Sequence, residues 1–154
     1  MRPLWGDNSA QKVQIMLSTF VPAPQASAAV DLPRAFDIAQ QLREDVGGRA
    51  ILSPTKFIDM MGLDVGTFAR LAHVHRNTVT RAPGATSVQH HIRLNVRVLA
   101  AALAVSGDIK AAIYWYQNEP LAPFEYKTAE SLVAEGRSDD VVGLLESYQA
   151  GFAG

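Results

Sequence analysis

From Pro33 to the C-terminus, apolar residues recur at helical spacing, and glycine or proline cuts the run at short intervals. That punctuation constrains the chain to a bundle of short helices. Pro33 suits a first turn, and Phe36, Ile38, Ala39, Leu42 and Val46 continue the pattern until Gly47-Gly48 stops it. Ser53-Pro54 is a second start signal, a cap residue followed by proline at the first helical position. It leads through Phe57, Ile58, Met60 and Met61 to Gly62. Asp64 is expected to cap the next helix. Asp108 is expected to cap the second of two stretches, about 87–105 and 109–117, that flank the Gly107-Asp108 break. The last pieces, about 128–135 and 139–149, are separated by Gly136. Val141, Leu144, Leu145 and Tyr148 form an amphipathic stripe in the final one. No alternating strand and no repeat is expected.

With 154 residues, nearly half of them apolar, the chain can bury a core as one domain or two small lobes. It has no cysteine, which excludes disulfides, thiolate metal sites and zinc fingers and suits a reducing cytoplasm. No run reaches the roughly 18 apolar residues of a membrane span. Val13 to Val21 followed by Ala26-Ser27-Ala28 has the outline of an export leader. Against that reading, Gln14, Ser18 and Thr19 interrupt the apolar run, and Asp7 sits where a leader is positive. Residues 1–32, with Pro22 and Pro24, are therefore expected to form a partly ordered arm, and the location to be cytoplasmic.

Charge is divided unevenly along the chain. Between Val65 and Gly107 there is no aspartate or glutamate, but there are five arginines (Arg70, Arg76, Arg81, Arg93, Arg97) and all four histidines. After Gly107 the balance reverses to eight acids against three bases, although the whole chain carries a formal charge of only -1. One face should attract phosphate and another should not. Within the cationic window, Phe68 to Arg81 has the spacing of a helix-turn-helix. Ala69 is small enough for a second helix to cross closely, Val74 and Val79 can lock the two helices, and Phe68 and Leu71 face the same core. The second helix, from His75 or Arg76 to Arg81, would present His75, Arg76, Asn77 and Thr78 to base edges, with Thr80 and Arg81 on phosphate. The turn position that usually holds glycine is His73, a residue that tolerates the left-handed region better than a bulky aliphatic does. A plain helical hairpin with a solvated cationic face is the alternative.

The histidines do not read as a metal site. His73 and His75 are two apart and His90-His91 are adjacent, and neither spacing is the i, i+4 that sets two ligands on one helical face. There is no Gly-rich phosphate loop and no G-x-S-x-G elbow, and Asp139-Asp140 complements a helix dipole. No catalytic residue, cofactor or metal is expected.

The C-terminal third carries Lys110-Ala111-Ala112-Ile113-Tyr114-Trp115, then Gln117-Asn118-Glu119-Pro120-Leu121, then Tyr126-Lys127-Thr128-Ala129-Glu130-Ser131-Leu132-Val133-Ala134-Glu135-Gly136, then Val141-Val142-Gly143-Leu144-Leu145 and a terminal Gly151. These blocks, in this order behind an Xre-like helix-turn-helix, resemble the Xre/MbcA/ParS-type antitoxins over about residues 50–154. The Gly-Gly often found after the Asn-Pro element is replaced by Ala122-Pro123.

The resemblance implies an all-α chain in three parts: the arm (1–32), a helical region with an Xre-like helix-turn-helix (33–106) and a small helical toxin-binding domain (107–154). It implies a cognate RES-type toxin that consumes NAD, covered at its pocket by the antitoxin's C-terminal part. It also implies operator DNA as a second partner and a homodimer within a larger complex. Trp115, Asn118, Glu119, Pro120, Tyr148, Phe152 and Gly154 are the expected toxin contacts, with ordinary core packing as the alternative for Trp115 and Tyr148. A different reading is a solitary transcriptional regulator whose C-terminal part serves dimerisation or another partner, and a third keeps the inhibitory role with a vestigial helix-turn-helix.

Overall fold

The computed structural model describes the backbone of residues 28–153 and the side chains of residues 33–151. Most of the expected arm therefore lies outside the described residues. The order is α1 (Ala28–Leu42), β1 (Arg43–Val46), β2 (Arg49–Leu52), α2 (Pro54–Met61), α3 (Val65–Ala72), α4 (Arg76–Arg81), α5 (Thr86–Ser106), α6 (Ile109–Asn118), a 3-10 turn (Ala122–Phe124), α7 (Ala129–Ala134) and α8 (Ser138–Ala153).

The chain is mostly helical, with two departures from the expected helix over 33–46. The first helix begins at Ala28, so Pro33 lies inside it. It stops at Leu42, and Arg43–Val46 turns back to pair antiparallel with Arg49–Leu52. Gly47 and Gly48 have φ of 58° and 78°. Two consecutive positive φ values make the tight hairpin turn whose twist matches that of paired strands, and glycine adopts them without strain. The pair thus connects two strands and does not stop a helix. The hairpin's outer edge is closed by a side chain: Gln89 accepts from Leu52 N and donates to Leu52 O, at 2.9 and 2.8 Å, and also donates to Pro83 O. An amide side chain here takes the place of a third strand.

Capping follows the sequence closely. The Ser53 hydroxyl accepts from Lys56 N, and the α2 end is closed by Gly62 at φ 66°. Asp64 accepts from Thr67 N at 2.8 Å, Asp108 from Ala111 N at 3.0 Å and Thr128 from Ser131 N at 3.2 Å. Each side-chain acceptor satisfies a backbone donor that has no partner inside its helix. The last helix runs through Gly151 to Ala153 and does not end at that glycine.

The core is organised around α5. Val98 to Ala102 are buried on every side of the helix, and Ala104 and Val105 continue the run. A helix without a polar face must be enclosed, and α1, α6, α7 and α8 pack around it, with α2 and α3 at its N-terminal end. The alanines at 100–102 and 104 let neighbouring backbones approach. One hydrophobic cluster extends from Ile38 through Phe68 and Leu99 to Leu145. Among the described residues no helix is long and apolar enough to cross a membrane.

A polar chain sits inside this core. Tyr116 Oη–H donates to Asn95 Oδ1, and Asn95 Nδ2 donates to His91 O at 2.8 Å and lies 3.2 Å from His91 Nε2. Because Nδ2 can only donate, His91 Nε2 accepts and the imidazole proton resides on Nδ1. Burial, together with the charges of His73 and His90, lowers the His91 pKa to about 4 from 6.5. Between those values the unfolded chain binds a proton that the folded chain does not, so stability rises with pH across that window. This group should remove on the order of 3 kcal/mol as pH falls from neutral to about 4. A His91→Gln variant keeps an acceptor without the titration. Urea denaturation across this range should show its pH slope flattened relative to the parent, and an unaltered slope would assign the acid sensitivity to other groups.

Candidate nucleic-acid interface and partner surface

Helices α3 and α4 are held as a pair by their buried residues. Phe68, Ala69 and Leu71 of α3 and Val79 of α4 are buried, while Val74 in the turn is half-buried against the same cluster. Val74 N donates to Ala69 O at 3.0 Å and His73 N to Arg70 O at 3.3 Å, which closes α3. His73 itself takes φ 56° and ψ 41°, the left-handed conformation expected at this position. That conformation costs a residue with a Cβ roughly 1 kcal/mol. The imidazole supplies an offset, because His73 Nε2 lies 2.7 Å from Ala134 O at the end of α7. A carbonyl can only accept, so Nε2 carries the proton.

The α4 surface is polar and cationic. His75, Arg76, Asn77, Thr80 and Arg81 are exposed, and Thr78 is half-buried. The His75 ring caps the helix, Nδ1 accepting from Asn77 N at 3.3 Å. Thr80 Oγ1 is directed at the carbonyls of Asn77 and Arg76, so its hydroxyl is engaged by its own helix in the free chain. The Arg76 guanidinium lies beside Gly66 and near Asp64. The Asp64 carboxyl is held below its ordinary pKa first by the backbone and hydroxyl hydrogen bonds of Thr67, and also by the Arg76 charge. Beyond the Pro83-Gly84 turn, Thr86, His90, Arg93 and Arg97 form one exposed stripe along α5 at helical spacing. Arg97 is paired with Asp139.

The expected toxin contacts divide into buried and accessible groups. Trp115 and Glu119, each 4% exposed, belong to the interior, so neither presents a side chain to a partner in this conformation. The reason is helical phase: Ala112, Trp115 and Tyr116 lie on the face of α6 that packs on α5. Trp115 thus takes the core role weighed for it. Asn118 is exposed and donates to Tyr114 O, and Pro120 is half-buried. Tyr148 is half-buried on α8, with its pKa raised by burial and then by the Glu119 charge. The Phe152 side chain and Gly154 lie outside the described residues. Two exposed aromatics that the sequence reading did not single out stand on this half, Tyr114 at 63% and Tyr126 at 62%. No sequence signal separates them from Trp115 and Tyr116, because consecutive aromatics on a helix are sorted only by phase.

The two candidate surfaces are joined. Besides the His73 bond, Gln117 donates to Met61 O at 2.9 Å and approaches Glu130 at 3.5 Å. Burial raises the Glu130 pKa, while the Gln117 bond and the Arg70 charge act against that rise. The turn between α3 and α4 is thereby tied to α7. His73→Gly relieves the left-handed strain but loses the imidazole, whereas His73→Ala loses the imidazole and keeps the strain. Thermal denaturation should find the alanine variant less stable than the glycine variant by about 1 kcal/mol, and equal stabilities would count against the left-handed turn. Set beside known proteins, the chain matches no protein-family model, no curated protein and no solved structure.

Proposed function

We propose that this chain is an antitoxin of the Xre/MbcA/ParS type, which inhibits a RES-type NAD-consuming toxin through its C-terminal region and represses its own operon by binding operator DNA. The observation that carries the DNA half is the α3–α4 pair. Val79 anchors the short second helix, and His75, Arg76, Asn77 and Arg81 remain exposed around it. A recognition helix needs that division, one side chain in the core and the neighbours free to reach a major groove. The acid-free window of sequence supports it electrostatically. For the inhibitory half, the support is the order of C-terminal sequence blocks and the acid-rich surface after Gly107, which suits a cationic rim around a dinucleotide pocket. The burial of Trp115 and Glu119 favours a second reading, a solitary regulator whose C-terminal helices complete the core.

If α4 reads bases, Arg76→Ala should lose roughly 1–3 kcal/mol of operator affinity and relax base preference, after release of the native guanidinium from Asp64 and Gly66. Arg81→Ala should weaken all sequences alike and reduce the salt slope by about one. Fluorescence anisotropy over a salt series distinguishes the two, and unchanged operator binding in Arg76→Ala removes α4 as the recognition helix.

The inhibitory half is tested separately. Deleting Gly151 to Gly154 trims only the end of α8, so the free protein's DNA affinity should stay close to the parent's. Toxin-dependent NAD consumption should return when the truncated chain replaces the full one. Complete neutralisation by the truncated chain would leave only the globular surface as inhibitor, and failure of the parent chain to bind any NAD-consuming enzyme would favour the solitary regulator.

A further inference from the structure

A groove of about 1120 Å³ runs between α1, β2 and α5, and none of the described residues assigned to DNA or toxin lines it. Its floor is apolar, with Ala39, Ile51 and Val96. Phe36 stands at its edge with 61% of its surface exposed, so knob and floor form one open apolar patch. The rim carries both signs of charge, Asp37 against Arg43 and Arg93. No strongly charged partner is complementary to such a rim, whereas an apolar, uncharged segment is.

We propose that the groove is occupied by the chain's own residues 13–21, docked as a helix antiparallel to α1 with Val13, Met16, Leu17 and Phe20 turned inward. Those four stand at i, i+3, i+4 and i+7, the spacing by which an amphipathic helix lays its apolar face in a groove. Residues 13–21 include no charged side chain, as the mixed rim requires. Lengths agree as well. Val13 to Phe20 and the α1 wall from Pro33 to Gln40 are each a step of seven residues, roughly 10 Å of helix. The connection is long enough: residues 22–27 lead to the start of α1 at Ala28 and can span roughly 20 Å when extended. To bring Phe20 beside Pro33 they must cover roughly 8 Å along α1 and one interhelix spacing, roughly 10 Å, to the side. Pro22 and Pro24 keep the segment from running on into α1 as one helix, so the chain can reverse between them. A segment tethered this closely is held at an effective concentration of roughly millimolar, and four apolar anchors then suffice to hold it.

This placement goes beyond both proposed activities and is tested on the full chain without DNA or toxin. The chain has no cysteine, so an introduced pair has no competitor on oxidation. Antiparallel docking sets position 13 opposite Gln40 and about two turns from Pro33. Val13→Cys with Gln40→Cys should therefore close an intrachain disulfide at least roughly tenfold faster than Val13→Cys with Pro33→Cys. Hydrogen exchange of the parent should find the amides of residues 13–20 slowed at least roughly tenfold, and Phe36→Asp should abolish that protection while leaving α5 protected as before. Phe36 is exposed, so circular dichroism of this variant should otherwise match the parent. Equal closure rates for the two pairs, or the reverse preference, overturns the antiparallel placement. Protection that persists in Phe36→Asp overturns the choice of groove. A disulfide joining two chains gives the groove to a second copy's segment, and unprotected amides over residues 13–20 leave it to a foreign apolar chain; either result also overturns the proposal.

Discussion

The enclosure of α5 is the constraint on which the rest of the structure depends. From Val98 to Val105 this helix has no polar face, and burying a helix all round requires neighbours on every side. The neighbours come from both directions in sequence, α1 before it and α6, α7 and α8 after it. Its first turns are different in kind. There, His90, Arg93 and Arg97 face outward while Gln89, His91 and Asn95 turn inward. The inward polar groups are each assigned a partner. Gln89 closes the hairpin edge and Asn95 joins Tyr116 to His91. Satisfied polar groups in a dry interior fix the rotation of α5 as apolar packing alone does not, because a slip would strand every one of them.

That fixed rotation also sorts the charges. The outward stripe of α5 carries arginines as α4 does, so residues on either side of the Pro83-Gly84 turn have the same sign of charge. The acid-rich helices α7 and α8 pack elsewhere on the same core, and Arg97–Asp139 marks where the two polarities meet. His73 has an unusual position between them. It is the residue that turns α3 into α4, and its imidazole ends on the last carbonyl of α7. A glycine there would form the turn more easily and would lose the tie.

Much of this was legible in the sequence because the deciding interactions are local. Ser53, Asp64 and Asp108 each bond a backbone donor three residues on, so cap and helix can be read in one short window. The left-handed turn at His73 followed from spacing alone. The hairpin was missed although Gly47-Gly48 is itself a hairpin signal, because its strands are mostly exposed and Phe36 to Val46 mimics a helical stripe. Gln89 holds β2 from 37 residues away, and no local window contains that bond.

The sequence by itself determined where the helices capped by Ser53, Asp64 and Asp108 start, which segment is free of acids and which residues can face a core, since these depend on neighbours a few positions apart. Tertiary structure alone decided which aromatic of Tyr114, Trp115 and Tyr116 is exposed, that Glu119 is buried, and that His73 reaches Ala134. It also decided that Phe36 stands open at a groove although its periodicity marked it for the core. The physical reason is common to all four. Helical phase is set by the sequence, but which phase is inside depends on where the other helices lie.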